Sequence, residues 1–94
     1  IKLVNFFIEK DVKDLYWVLY YGAYRGDKEL IDLCIELGAG DWDMGLLGAA
    51  KGGHKDLVDY FIELGANDWT SAMGEAVEGN HKDLMNYFIE LGAG

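Results

Sequence analysis

The sequence predicts an all-α protein, a helix-turn-helix solenoid in which short helix pairs follow one another along the chain. The first observation is a repeat, because the triplet Leu-Gly-Ala begins at Leu37, Leu64 and Leu91, which are 27 residues apart. The second is helical periodicity, since the apolar residues between 55 and 64 have the spacing of one helix face. The third is that no run alternates apolar and polar residues, so we expect no β-sheet.

The 94 residues are predicted to form one domain, which the repeat divides into units. Residues 1–10 form half a unit that contains only a second helix, 11–37 and 38–64 form complete units, and 65–94 contain the third. A linear array needs no central core, so a chain of this length is expected to fold as a single domain. Because the frame starts inside a unit, we expect the chain to be part of a longer protein.

Each unit is predicted to contain a helix A, a turn and a helix B. An aspartate precedes helix A and is expected to cap it by accepting from free backbone N–H groups: Asp14, Asp41 and Asp68. A residue that tolerates positive φ ends helix A: Gly26, Gly53 and Asn80. Helix B, best defined at residues 55–64, is amphipathic and is followed by glycine.

One segment of the middle unit resembles the ankyrin repeat. It reads Ala-Ala-x-x-Gly-His and then Leu-Val-x-x-Phe-Ile-x-x-Gly-Ala, from Ala49 to Ala66. The unit is shorter than the ankyrin repeat of about 33 residues, and the Thr-Pro-Leu-His opening is absent from a chain without proline. Asp-Trp stands in its place, as at Asp41-Trp42. This form without β-hairpins is similar to the short ankyrin-like arrays of some large DNA viruses of amoebae.

The ankyrin resemblance implies different locations and roles for the two helices of each unit. The A helices would line a concave surface that binds proteins, the B helices would form the convex side, and a histidine would tie the turn between them by hydrogen bonds. The histidines at that position are His54 and His81. One unit apart, they should lie about 8–10 Å from each other, too far to share a metal ion without further ligands.

Composition excludes several classes of function. With 17 acidic and 8 basic residues, the net charge of −9 repels phosphate backbones and anionic lipid, so we predict no nucleic-acid and no membrane partner. The charges on the B helices favour a solvated face over a docking site for a basic partner. Cys34 aligns with Phe61 and Phe88, which predicts a buried side chain, and the lack of a disulfide framework favours an intracellular location.

No catalytic arrangement is visible. No cysteine nucleophile stands beside a base, the paired carboxylates are explained by caps and solvated faces, and Gly52-Gly53 lacks the ending of a phosphate-binding loop. We therefore predict a protein that is not an enzyme and that has no cofactor and no metal site. Trp42 and Trp69 recur at one position, which favours packing over direct contact with a partner.

Alignment of the A helices separates core from surface positions. Two columns are predicted to be core: Leu19, Leu46 and Met73, and Ala23, Ala50 and Val77. Tyr16, Tyr20 and Tyr24 form a tyrosine stripe in the first unit. Their repeat positions tolerate charged residues in the other units, so they are predicted to face solvent. The residues predicted to contact a partner on the concave face are Tyr16, Tyr20, Tyr24, Arg25, Asp43, Leu47, Lys51, Thr70 and Glu78. Alternatively, some of these rings pack against a preceding helix A that this chain lacks.

The predicted function is reversible protein–protein interaction on the concave face. The rival hypothesis is a structural element that assembles end to end, because apolar residues that neighbouring units would cover occur at both ends. They include Phe6 and Phe7 near the start, and Phe88 and Ile89 near the end. Since both ends belong to one repeat series, the predicted self-association is head-to-tail.

Overall fold

Six helices make up the part of the chain that the computed structural model describes, residues 14–93. They are α1 (Asp14–Arg25), α2 (Lys28–Glu36), α3 (Trp42–Gly52), α4 (Lys55–Leu64), α5 (Trp69–Glu78) and α6 (Lys82–Leu91). No strand occurs between residues 14 and 93, so the all-α class is confirmed. The predicted half unit 1–10 and the first residues of the unit 11–37 lie outside the described residues.

Aspartate caps begin two of the predicted A helices. The side chain of Asp41 accepts from the backbone N–H of Met44 at 3.3 Å, and that of Asp68 accepts from Ser71 at 3.2 Å. Both predicted N-caps are thereby confirmed. Asp14 is the first residue of α1, and its predicted cap lies outside the described side chains.

The turns between paired helices adopt the backbone that the sequence predicts. Gly26, Gly53 and Asn80 have φ values of 73°, 78° and 64°. Asparagine is one of the few residues with a side chain that enters this left-handed region readily, so it can replace glycine at this position in the third unit. α1 and α3 end directly before Gly26 and Gly53, as predicted, whereas α5 ends at Glu78, one residue earlier than predicted, with Gly79 as its C-cap.

The helices pack in a fixed order. α1 packs on α3 and α3 on α5, while each of these three helices also packs against the helix that follows it in the chain. Leu19, Leu46, Phe61 and Phe88 are fully buried in the resulting core. Cys34 is buried with them, as predicted, and burial raises the pKa of its thiol to about 11, so it remains a neutral, apolar group at neutral pH.

One predicted core position is wrong. Ala23 and Ala50 are fully buried, but Val77, which aligns with them, is 55% exposed. Residues at this repeat position face the next A helix. The Cβ of Ala23, for example, lies 3.1 Å from the place where a Cβ on Gly48 of α3 would stand. Among the described residues no helix covers that side of α5, so burial at this position depends on a following unit and not on the residue itself.

The recurring tryptophans contribute to packing. Trp42 and Trp69 are half-buried and lie against the core. The indole of Trp69 stacks on Phe88, with ring centroids 6.5 Å apart and an interplanar angle of 20°. This geometry agrees with the predicted packing role.

Candidate functional site: the open cleft across the A helices

Each contact between successive A helices contains a histidine hydrogen bond. His54 Nε2 donates to the backbone carbonyl of Tyr24 at 3.0 Å, and His81 Nε2 donates to that of Lys51 at 3.1 Å. A carbonyl oxygen can only accept, so the ε nitrogen carries the proton in both cases. The ankyrin resemblance implied that this histidine ties its own turn, whereas these bonds join its turn to the preceding A helix.

A glycine two positions before each histidine makes the bond geometrically accessible. A Cβ on Gly52 would overlap the carbonyl oxygen of Tyr24, and one on Gly79 would overlap that of Lys51. Only a residue without a side chain lets the helices approach so closely. We call these two pairs, Gly52/His54 and Gly79/His81, the Gly-x-His clamps.

Two of the predicted contact residues form bonds across the units. Asp43 Oδ1 accepts from the backbone N–H groups of Asn67 and Asp68 at 2.9 and 3.1 Å, so it holds the loop before α5. The Tyr20 hydroxyl donates to Glu75 Oε1 at 2.6 Å and links the first unit to the third. Burial, reinforced by this hydrogen bond to a carboxylate, raises the pKa of Tyr20 well above its ordinary value.

Four of the nine predicted contact residues line one open cleft at the carboxyl ends of the A helices. Tyr24 and Arg25 come from α1, Lys51 from α3 and Glu78 from α5. Tyr24 is 43% exposed, and Arg25 is exposed beside it. Lys51 Nζ lies 3.5 Å from a Glu78 carboxylate oxygen, so these two charges partly neutralise each other. Each of the three units that the structure describes thus contributes to the cleft.

The other predicted contact residues lie elsewhere. Tyr20 and Asp43 form the cross-unit bonds, and Leu47 is half-buried against the core. Tyr16 is half-buried and Thr70 is exposed, each about two helical turns, roughly 12 Å, from the cleft residue of its own helix. The structure therefore does not bring all nine residues together.

Several residues of this region were missed by sequence reasoning. His81, Gly52 and Gly79 line the cleft, and Glu75 holds Tyr20. Gly-x-His does recur 27 residues apart, which is a visible signal, but the predicted role in the turn was given to its histidine alone. Glu75 left no signal, because its partner is two units away.

An exposed aromatic face on α1 was also missed. Trp17 is 68% exposed and Tyr21 50% exposed. Arg25 donates to the Tyr21 hydroxyl at 3.1 Å, and its guanidinium lies 5.6 Å from the centre of that ring. We call Trp17, Tyr21 and Arg25 the outer face of α1. Arg25 was among the predicted contact residues, but the repeat positions of Trp17 and Tyr21 hold no common residue type, so alignment did not single these two out.

Two ion pairs join charged side chains of the B helices. Lys28 contacts Asp56 at 3.2 Å, and this contact lowers the pKa of that carboxyl. Lys55 contacts Asp59 at 3.0 Å and lies 4.3 Å from the centre of the Tyr87 ring, whose hydroxyl donates to the same aspartate. Both ion pairs lie at the surface, and the solvated face of the B helices stays a prediction.

The described residues hold no group of three or more His, Cys, Asp or Glu side chains placed to bind a metal ion. None of the helices described between residues 14 and 93 has the length and apolar character needed to cross a bilayer.

Comparison of the chain with protein-family models, curated proteins and solved structures gave no match. The ankyrin resemblance therefore depends on the residues of this chain alone.

Proposed function

We propose that the chain is an ankyrin-like solenoid without β-hairpins, whose function is reversible binding of a protein partner at the cleft across its A helices. The observation that carries the proposal is the convergence of Tyr24, Arg25, Lys51 and Glu78, from three successive units, on one open surface. A surface built from several units is what stacked helix pairs offer to a partner.

The chemistry of the cleft suits a protein segment. Tyrosine and arginine are enriched among the residues that dominate binding energy, because both offer large amphipathic contact area. Here Tyr24 and Arg25 are exposed side by side. The adjacent Lys51–Glu78 pair supplies one donor and one acceptor of opposite charge, which would select the orientation of a bound segment more than increase its affinity. The proposal assigns no catalytic step to the chain.

Affinity capture with matched variants tests the proposal. The double variant Tyr24→Ala/Arg25→Ala removes both exposed anchors of the cleft, while Tyr60→Ala removes an exposed ring of helix α4 that does not line the cleft. A protein from the cell that makes the chain should bind the wild type and Tyr60→Ala equally. It should bind the double variant at least fivefold more weakly, a loss on the order of 1 kcal/mol.

The capture experiment has a clear opposite outcome. A partner that binds the double variant as well as the wild type, but loses affinity for Tyr60→Ala, would place the binding surface on the B helices. Circular dichroism of all three proteins would show that the differences arise from binding and not from unfolding.

End-to-end assembly is the second candidate, and one observation favours it. Val77 of α5 and Ile89 and Leu91 of α6 are exposed apolar side chains on the last helix pair. Exposed apolar area of this kind is a common association site. The predicted head-to-tail contact additionally requires that the two ends fit each other.

A further inference from the structure

An open groove lies between the B helices α2 and α4. Neighbouring B helices are not among the closely packed helix pairs of the chain, and a cavity of about 330 Å³ separates these two. Its buried lining residues, Ile31 and Leu57, are apolar. The lining is completed by the Tyr60 ring and by three charged side chains, Lys28, Asp32 and Asp56. We call this space the α2–α4 groove. Both of its walls belong to described helices, so units that continued the same packing before α1 or after α6 would leave it open.

The next pair of B helices, α4 and α6, shows how an ammonium group is held at the equivalent place. Lys55 Nζ lies 3.0 Å from a carboxylate oxygen of Asp59 and 4.3 Å from the centre of the Tyr87 ring. The Tyr87 hydroxyl donates to the same carboxylate at 2.8 Å. The hydrogen bond to Asp59 raises the pKa of Lys55, so this arrangement favours the charged ammonium. A carboxylate and an aromatic ring thus bind one lysine together.

The α2–α4 groove has the same carboxylate and the same ring, but its lysine is placed differently. Lys28, Asp32 and Tyr60 stand 27 residues before Lys55, Asp59 and Tyr87. Lys28 Nζ contacts Asp56 at 3.2 Å, across the groove, instead of following the arrangement of Lys55. Asp32 is exposed and Tyr60 is 37% exposed, and both line the groove. The two groups that hold an ammonium in the next pair of helices are therefore accessible here to a ligand.

We propose that Asp32 and Tyr60 in the α2–α4 groove bind the side chain of a lysine supplied by a basic protein segment, in the arrangement that Lys55 adopts with Asp59 and Tyr87. The charges are complementary, because the groove is lined by one basic and two acidic side chains and therefore has a net charge of −1. The chain as a whole has a net charge of −9, which attracts a basic segment from a distance.

The shape of the groove also suits lysine. The aliphatic stem of a lysine can lie on apolar Ile31 and Leu57 while its ammonium remains at the polar rim. Binding leaves the Lys28–Asp56 ion pair intact, since that pair uses another carboxylate. This site goes beyond the proposed function and does not depend on it, because none of its residues lines the cleft across the A helices.

A single amino acid with blocked ends is a sufficient probe. Nα-acetyl-lysine methylamide presents the side chain alone, and the norleucine analogue has the same four-carbon stem without the ammonium. We expect the lysine probe to shift the NMR resonances of the Tyr60 ring, with half-saturation at about 1–10 mM at constant ionic strength. The norleucine probe should bind about tenfold more weakly, because it lacks both the ion pair and the cation–π contact.

Variants of the chain locate the site. Asp32→Asn removes the charge of the carboxylate and Tyr60→Leu removes the ring, and each should weaken binding of the lysine probe about two- to fivefold. The effect of Tyr60→Leu is followed on backbone resonances of α2 and α4. Glu63→Gln is the matched control, because it removes the same charge from α4 at an exposed residue that does not line the groove. This control and the cleft variant Tyr24→Ala/Arg25→Ala should bind the probe like the wild type.

Three results would overturn the proposal. The first is a norleucine probe that binds as tightly as the lysine probe, which would leave only an apolar groove. The second is a folded Asp32→Asn variant with unchanged affinity for lysine. The third is a wild-type chain without any shift at about 20 mM probe, a concentration above every expected half-saturation. If Lys28→Met bound the probe in that case, Lys28 itself would be the lysine that occupies the site.

Discussion

The α1–α3 and α3–α5 contacts share a clamp but differ in what surrounds it. In the first, Gly48 brings α3 so close to α1 that a Cβ would overlap the Tyr20 carbonyl. In the second, Glu75 takes the place of Gly48, and Asp43 binds two backbone N–H groups of the next loop. The first contact depends on close packing and the second on polar bonds, so one repeat geometry is stabilised by two different kinds of interaction.

The largest expected effect is steric. Gly48→Ala adds a methyl group against a backbone carbonyl that cannot move without its helix, and it should lower the free energy of unfolding by about 2–3 kcal/mol. Gly74→Ala is the matched control, because its methyl group meets nothing and alanine favours a helix by up to about 1 kcal/mol. Urea unfolding should move the two midpoints in opposite directions. Equal midpoints would show that the first contact is not closely packed.

A smaller loss is expected from the polar contact. Asp43→Ala leaves the N–H groups of Asn67 and Asp68 without their acceptor, which should cost about 1–2 kcal/mol. Thr70→Ala is the control, since Thr70 has the same repeat position but is exposed. If both variants unfold at the same urea concentration, the loop before α5 does not need Asp43.

Tyr20→Phe should cost about 1 kcal/mol at pH 8, because it removes one hydrogen bond to a carboxylate. The raised pKa means that the folded chain holds the phenol proton more tightly than the unfolded chain does. The contribution is therefore complete below about pH 10 and is lost as the pH rises beyond it. The difference between wild type and variant should narrow from pH 8 to pH 11. If the difference in unfolding free energy between wild type and variant stayed constant over this pH range, ionisation of Tyr20 would not affect the stability of the chain.

The smallest effect is expected for the ion pair in the cleft. Lys51 and Glu78 both remain accessible to water, so a double-mutant cycle with Lys51→Met and Glu78→Gln should give a coupling free energy of about 0.5 kcal/mol or less. High salt should remove it. A coupling above about 1 kcal/mol would mean that this pair contributes to the α3–α5 contact as strongly as Asp43 does.

The predictions from sequence were accurate where the structure depends on neighbours along the chain. Asp41 and Asp68 cap the helices next to them, and the turn residues have the expected positive φ, because capping and turn geometry are local properties. The α4 helix has the predicted limits, residues 55–64, since its apolar face and its glycine are both local signals.

The sequence was less informative where a residue depends on another unit. Val77 has the character of a core residue, but its burial needs a following helix. Tyr20 and Asp43 align with residues expected to face water, yet their partners lie in later units, and no local pattern shows this. Alignment identified Tyr24, Lys51 and Glu78 because they share one repeat position. Side chains at one repeat position lie on the same side of the array, and these three line the cleft.

The bond between Tyr20 and Glu75 gives the chain an interaction that simple repeat arrays lack. In such arrays each unit stabilises only its neighbours, so an end unit can open while the others stay folded. Here the first and third units are joined directly, across the second. Opening of either end breaks this bond, which adds a next-nearest-neighbour coupling to the energy of the array. Hydrogen exchange in α1 and α5 should consequently become less concerted when Tyr20 is replaced by phenylalanine, as each end gains a separate opening reaction.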